Sequence, residues 1–299
     1  MIAKTRLRGF TDKIWSWYTH HKRMLPWRDL WHESEGMRAY KVLVSEVMLQ
    51  QTQVPRVMVL FPQFLEKFPT MGDLAKASNK EVVFAWRGLG YNRRALMLRD
   101  AARTIDSIRF PKTVDKLLKI PGIGPYTAAA IRNFAFNIPT PCLDTNIRRV
   151  LHRAFIGPER SDGTWKKSDC ALLSLAREVL QIAVSEYPRS VVQYPAADWH
   201  HALMDYGSLK EKAVKISRNT RTEPGRTVGS RYIPNRIFRG KIIEVLRDQT
   251  RGVSLSEMGK YICSDWDRRV HQEWLTTILE KLKKDALISE QKGTYILKD

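Results

Sequence analysis

The sequence predicts an all-α fold over its first two hundred residues, followed by a smaller α+β unit. Three observations carry that prediction. Apolar residues recur at helical spacing through residues 1–207 and no strand alternation interrupts them. Helix breakers fall between the stripes at Pro26, Pro69, Gly88, Pro111, Pro139 and Pro158, which gives short helices with tight connections. The character then changes at Ser208, where a basic stretch with Pro224, Gly225, Gly229 and Pro234 separates the first part from three further stripes and a terminal hairpin. At 299 residues with 43% hydrophobic content the chain can bury a large core, and its length suggests two domains.

The elements follow in order. Phe10, Ile14, Trp17 and Tyr18 make one stripe, Val42 to Leu49 a second, and Val57, Leu60, Phe61, Phe64 and Leu65 a third; Val82 to Trp86, Ala95 to Ile105 and Val114 to Leu118 come next. The turn Pro121-Gly122-Ile123-Gly124 opens the apolar run Tyr126 to Phe136 as a helix and leaves backbone N–H groups uncovered by side chains. A bare helix N-terminus of this kind suits a phosphate, which makes Gly122 and Gly124 candidate DNA contacts. About twenty residues on, Asp144 stands where an N-cap belongs, ahead of Ile147, Val150 and Leu151. A glycine turn and a capping Asp are each common for structural reasons alone; in this order, and in a basic chain, they point to a phosphate and a carboxylate facing one cleft.

Residues 208–239 carry nine Lys or Arg against two Glu, and 208–235 reads as a basic linker. Beyond it, helices are expected over 236–247, 254–262 and 267–284, then a hairpin of Leu287 to Glu290 and Thr294 to Leu297 about Gln291-Lys292-Gly293. Residues 236–299 thus form a winged-helix-like domain. DNA binding and protein interaction are equal readings of that unit.

Charge narrows the partner. There are 51 Lys and Arg against 31 Asp and Glu, a formal net charge of +20, so a polyanion, nucleic acid first, is the expected partner. No apolar run is long enough to span a membrane, and Met1 to Gly9 is basic and polar, unlike a signal peptide. The expectation is a cytoplasmic, nucleoid-associated monomer. Cys142, Cys170 and Cys263 are scattered and form neither a CxxC pair nor a secreted disulfide pattern, and read as buried thiols. His20-His21 and His200-His201 are adjacent pairs that point apart on a helix, so no metal site is expected.

Glu46 sits inside the apolar run Val42 to Leu49, where burial raises a carboxyl pKa and makes a general acid; periodicity alone equally allows an exposed stripe. Gln50, Gln51 and Gln53 end that helix. Taken with Leu25-Pro26-Trp27-Arg28, the run SEVMLQQTQV (45–54), Gly88-Leu89-Gly90-Tyr91, IPGIGPYT (120–127) and Leu143-Asp144-Thr145-Asn146, the chain resembles the MutY-type adenine DNA glycosylases of the helix-hairpin-helix superfamily. The likeness covers roughly residues 7–207. SEVMLQQTQV is its most diagnostic part, whereas the hairpin and the Asp are common to the superfamily, endonuclease III included. The basic linker and terminal unit look more like archaeal members than bacterial ones.

The resemblance implies a helix-hairpin-helix glycosylase fold, double-stranded DNA with a mispaired or damaged base as partner, and hydrolysis of the N-glycosidic bond of adenine mispaired with guanine or 8-oxoguanine. It implies that Glu46 protonates the flipped adenine at its imidazole ring and that Asp144 stabilises the oxocarbenium-like sugar or bonds to it transiently, two carboxylates in two roles. It also implies that Tyr126 and Asn146 orient these acids, that Trp27, Arg28 and Leu49 line the adenine pocket, and that Gln51 and Tyr91, with Gln50 beside them, enter the stack next to the opposite base. Three departures stand out. The four cysteines that usually hold a [4Fe–4S] cluster after the segment matching Met204 to Gly207 are missing, so no cluster is expected. The Nudix-like terminal domain that recognises 8-oxoguanine in bacterial members is replaced, and the connection from Arg28 to Tyr40 is longer than usual. A thymine or uracil mismatch glycosylase of the same fold, or a non-catalytic DNA-binding protein, is the alternative.

Overall fold

In the computed structural model, which describes residues 2–160, 162–188, 190, 192–211 and 223–299, the apolar stripes are helices. They run α1 (Lys4–His21), α2 (Glu35–Leu49), α3 (Val54–Lys67), α4 (Met71–Lys76), α5 (Asn79–Ala85), α6 (Arg93–Asp106), α7 (Val114–Leu117), α8 (Pro125–Phe136), α9 (Thr145–Phe155), α10 (Asp169–Ser185) and α11 (Pro195–Leu209). Side-chain caps set many of the starts: Ser34 for α2, Thr70 with Asp73 for α4, Ser78 with Glu81 for α5, Asp144 for α9 and Ser168 for α10. After α11 come β1 (Gly225–Val228), β2 (Arg231–Pro234), α12 (Asn235–Asp248), β3 (Val253–Ser254), α13 (Leu255–Ile262), α14 (Arg268–Lys284), β4 (Ile288–Gln291) and β5 (Thr294–Leu297).

The chain crosses between two compact units. One holds Met1–Gln50 and Thr104–Ile216, the other Gln51–Arg103 and Ser217–Asp299. In the first, α2 packs on α8, α9 on α11, and α1 on α10 and α11. Its core gathers Ile14, Trp15 and Tyr18 of α1, Ile147, Val150 and Leu151 of α9, Leu172, Val179 and Leu180 of α10, and Trp199 and Leu203 of α11.

In the second unit, β4 and β5 pair antiparallel from Ile288↔Leu297 to Gln291↔Thr294, and β3 joins the other edge of β5. With α12, α13 and α14 this is the winged-helix-like arrangement the sequence predicts. Its core does not close on itself, however. Phe238, Ile242, Ile243 and Leu246 of α12 share one cluster with Leu275, Ile278 and Leu282 of α14, Tyr295, and also Val83 of α5 and Leu96 of α6. The buried Arg247 guanidinium donates to the Val83 carbonyl at 2.6 Å and to Asn92 Oδ1 at 3.0 Å, and Asn79 Nδ2 donates to the Ala286 carbonyl at 3.0 Å. The compact units therefore differ from a division into 1–207, 208–235 and 236–299. Two hydrophobic faces far apart in sequence each lack enough area to stand alone, and they merge.

Part of the expected linker is structured. Residues 212–222 lie outside the described residues, but β1 and β2 pair from Gly225↔Pro234 to Val228↔Arg231, with Gly229 at φ +59° in the turn. Thr227, Val228, Tyr232 and Ile233 supply the β-branched and aromatic residues a short hairpin needs, and the flanking arginines mask the alternation. The expectation of three buried cysteines needs one correction: Cys142 and Cys263 are buried, whereas Cys170 is exposed in the first turn of α10, on the face turned from the core.

Candidate active site

Glu46 belongs to the buried length of α2. Nine residues between Ala39 and Met48 are buried, and Glu46 is only 7% exposed. Burial pushes its carboxyl up to about 7, and the nearby Asp144 charge pushes the same way; a hydrogen bond with the Tyr126 hydroxyl and the Arg28 charge oppose them. Burial, then the neighbouring Glu46, likewise drives the Tyr126 phenol well above its ordinary value, so it stays neutral. The sequence left the environment of Glu46 open, and the fold puts it in the interior.

Asp144 caps α9. Its Oδ1 accepts from the backbone N–H of Asn146 at 3.0 Å and of Ile147 at 2.6 Å, and its Oδ2 accepts from Asn146 Nδ2 at 3.0 Å. Burial raises this carboxyl, and those three bonds with the Arg149 charge pull it back toward the ionised form. Asn146 is itself held, since Arg149 Nη1 donates to its Oδ1 at 3.3 Å and to the Gly207 carbonyl at 3.1 Å. A Cβ on Gly207 would lie 2.8 Å from both Cβ and carbonyl O of Asn146, so only glycine lets α11 approach α9 so closely there. Thus Glu46, Tyr126, Asp144 and Asn146 form one connected group.

The hairpin behaves as expected from its glycines. Gly122 takes φ +78°, Ile123 N–H closes the turn on the Ile120 carbonyl at 3.2 Å, and Gly124 is the N-cap of α8 with Pro125 in the first turn. No side chain caps this end. The first-turn amides of α8 accordingly present the bare donors that suit a phosphate oxygen.

Trp27 and Arg28 are buried; Leu49 is half-buried at the end of α2, where Gln50 is exposed. Arg28 makes a two-pronged contact with the fully buried Asp205 of α11, 2.8 Å to Oδ2 and 2.9 Å to Oδ1. Asp205 also accepts from the Arg23 backbone N–H at 3.0 Å and from Arg23 Nε at 2.6 Å. Sequence reasoning missed Asp205 as the group that locks Arg28. The available signal was the one that singled out Glu46: an acid inside an apolar helical run, here Ala202-Leu203-Met204-Asp205-Tyr206.

Gln51 and Tyr91 lie in the second unit. Both are exposed, and both have left-handed backbone, φ +56° and +44°, which costs a side-chain-bearing residue about 1–3 kcal/mol. Gly88 at φ +88° and Gly90 at φ +69° build the turn before Tyr91. Arg94, a residue the sequence reading passed over, ties the two segments together: its Nη2 donates to Thr52 Oγ1 at 3.1 Å, to the Leu89 carbonyl at 2.9 Å and to the Gly90 carbonyl at 3.2 Å. Its guanidinium lies 5.7 Å from the Tyr91 ring centre and 5.4 Å from that of Trp86.

Among the described residues no group of three or more His, Cys, Asp and Glu could hold a metal ion. The donor set does not fit the [4Fe–4S] cluster that the resemblance brings to mind. Three cysteines cannot supply four thiolates, and Cys142 and Cys263 are buried in different units. His200 and His201 are both buried on α11; His200 Nδ1 meets the Ala196 carbonyl at 2.7 Å, and the His201 ring stacks on Phe134 with centres 4.5 Å apart.

A glycine hairpin on a helix start, a capped aspartate behind it and a buried glutamic acid define a base-excision protein of the helix-hairpin-helix class. The family profile described as HhH-GPD superfamily base excision DNA repair protein matches residues 44–169. Two solved structures share the fold: a thermostable thymine-DNA glycosylase (TM-score 0.54, 24% identity, 69% of this chain and 87% of that one) and a trapped endonuclease III–DNA covalent intermediate (TM-score 0.53, 20% identity, 73% and 92%). Among curated relatives, the adenine DNA glycosylase of Mycolicibacterium smegmatis is 33% identical over 295 residues, spanning 93% of this chain and 92% of its own length. That of Mus musculus is 44% identical over 151 residues, 48% of this chain and 29% of its own. The chain belongs to the adenine DNA glycosylase family of the HhH-GPD superfamily.

Proposed function

We infer that this protein is a DNA glycosylase of base excision repair that hydrolyses the N-glycosidic bond of adenine mispaired with guanine or 8-oxoguanine. The observation that carries the reading is the Glu46–Tyr126–Asp144–Asn146 group, in which one carboxyl is pushed up to about 7 while the other accepts three hydrogen bonds that favour its charge. Near neutral pH the first can donate a proton and the second can carry charge. Glu46 gives its proton to a ring nitrogen of the extruded adenine, so the electron pair of the breaking C1′–N bond leaves on a neutral base. The Asp144 carboxylate stabilises the positive charge that builds on the sugar, and water adds at C1′ to leave an abasic site. Tyr126 holds Glu46, and Asn146 with Arg149 aims Asp144. Gln51 and Tyr91 enter the stack beside the opposite base and offset part of the few kcal/mol that extrusion costs.

Tyr126 follows Gly124-Pro125, where a lyase of this superfamily has a Schiff-base lysine, and a phenol cannot form an imine. The enzyme is therefore monofunctional, and borohydride should not trap it on DNA. The donor set also supports catalysis without iron. The nearest rival, a thymine or uracil mismatch glycosylase, has a fold relative 24% identical over 69% of this chain, against 33% over 93% for the M. smegmatis adenine glycosylase. The deciding measurement is single-turnover strand release on defined mismatches after alkali. Wild type should nick the adenine strand opposite guanine or 8-oxoguanine, while Glu46→Gln and Asp144→Asn bind the same duplex and release at least about a hundredfold more slowly. Release of thymine or uracil instead, or near-normal rates in either variant, refutes the assignment.

A further inference from the structure

Tyr91 is 49% exposed at the tip of its turn and is gripped from two sides. Arg94, in the first turn of α6, lies against its ring. The second contact comes from much later in the chain: the guanidinium of Arg236, in the first turn of α12, comes close enough to interact with the Tyr91 side chain. Arg236 Nε also donates to Glu223 at 2.7 Å, and both partners of that ion pair are nearly half exposed. Its place relative to Tyr91 is set by the shared core, since Phe238, Ile242 and Leu246 on the same helix cluster with Val83 and Leu96, and Arg247 bonds Val83 and Asn92. Asn92 is the residue next to Tyr91. The terminal domain therefore delivers a guanidinium to the tip of a DNA-inserting turn, with enough N–H donors left over to serve a further acceptor.

We propose that Arg236 is a specificity-determining residue, supplied by the winged-helix-like domain, that donates to the acceptor atoms of the oxopurine opposite the extruded adenine while Tyr91 inserts beside that base. The chemistry is selective. A guanidinium carries only donors, and an oxopurine edge offers acceptors to them: O6 paired with N7 in guanine, which the fork of an arginine spans, and O6 or O8 singly in 8-oxoguanine, whose N7 carries a proton. A phosphate would accept the same donors, but equally whatever base stands opposite. The inference rests on the adenine glycosylase reading above.

The test compares full-length wild type, Arg236→Ala and Arg236→Lys by single-turnover adenine release and duplex affinity. The duplexes carry adenine opposite guanine, 8-oxoguanine or a tetrahydrofuran abasic analogue that has no base to read. Arg236→Ala should compress the preference for an oxopurine over the abasic analogue by about tenfold in affinity or rate. Arg236→Lys, which keeps the charge and loses the fork, should not restore it. A larger loss on guanine than on 8-oxoguanine assigns N7 as the second acceptor, and the reverse assigns O8; either supports the proposal. An equal loss on all three duplexes, or full rescue by lysine, makes Arg236 a phosphate contact and overturns it. If wild type releases no adenine from any duplex, the glycosylase reading itself has failed, a separate outcome. The exposure of the Arg236–Glu223 pair keeps the variants foldable, and thermal unfolding of each checks this.

Discussion

At the scale of single residues, the energetics of the site centre on Glu46. Its carboxyl is held up at about 7 chiefly by burial, so the protonated form needed for donation is present below that value and is lost as the pH rises through it. Asp144 must be ionised, and its carboxyl is also raised, so activity should fall again in acid as this second group takes a proton. Single-turnover release should be bell-shaped in pH, with the alkaline limb near 7 removed from the residual activity of Glu46→Gln; a flat profile through neutrality would remove Glu46 as the acid. The two limbs belong to the coupled pair rather than to either acid alone. Stability follows the same sense as the alkaline limb. A folded-state pKa above the unfolded one means the buried acid costs nothing at low pH and destabilises the fold progressively between about 4.5 and 7. Glu46→Gln should therefore raise the free energy of unfolding at pH 8, by up to roughly 3 kcal/mol, and leave it almost unchanged at pH 4. These two acids were visible in the sequence because Glu46 breaks an apolar stripe and Asp144 marks a helix start. Asp205 and Arg94 were not, because their partners Arg28, Arg23, Thr52 and Leu89 meet them only through the fold.

At the scale of elements, what holds the acids in register is the contact between α9 and α11. Arg149 reaches from α9 to the Gly207 carbonyl, and Gly207 has no room for a side chain against Asn146. A methyl group placed there must push Asn146 away from Asp144 or α11 away from α9; either strains a packed contact by about 1–3 kcal/mol. Gly207→Ala should thus lower the unfolding midpoint and slow base release far more than it weakens duplex binding. If release stays within twofold of wild type, Asn146 does not aim Asp144. The helices themselves were legible wherever an apolar face repeats every three or four residues, as in α2, α3, α12 and α14. The hairpin of β1 and β2 was not, because an arginine precedes each of the pairs Thr227-Val228 and Tyr232-Ile233 and the stretch reads as a charged linker. Gly207 left no trace in sequence either, since a glycine required by close approach looks like any other glycine inside a helix.

At the scale of the whole molecule, the terminal domain is part of the structure that carries the Gln51 and Tyr91 turns. From sequence, residues 208–299 look removable, an affinity module joined by nine basic residues in 208–239, each phosphate they neutralise adding a slope of about 0.9 to the log-log fall of binding with salt. The shared core changes the expected outcome. Deleting 208–299 strips α12 from Val83 and Leu96, leaves the Val83 carbonyl and Asn92 without Arg247, and frees Asn79 from Ala286. Buried apolar side chains and polar groups lose their partners together, a loss comparable with the whole stability margin of a domain. The fragment 1–207 should lose helical signal and cooperative unfolding, and release adenine poorly even at saturating enzyme, because Gln51 and Tyr91 are no longer held. A milder lesion separates this from simple loss of charge. In the full chain, Arg247→Met keeps the packing volume but breaks the bonds to Val83 and Asn92; it should slow base release and lower the unfolding midpoint while the salt slope of duplex binding stays as in wild type. A fragment 1–207 that melts like the full chain and retains its single-turnover rate, losing only salt-dependent affinity, would return the terminal domain to the role of an electrostatic tether.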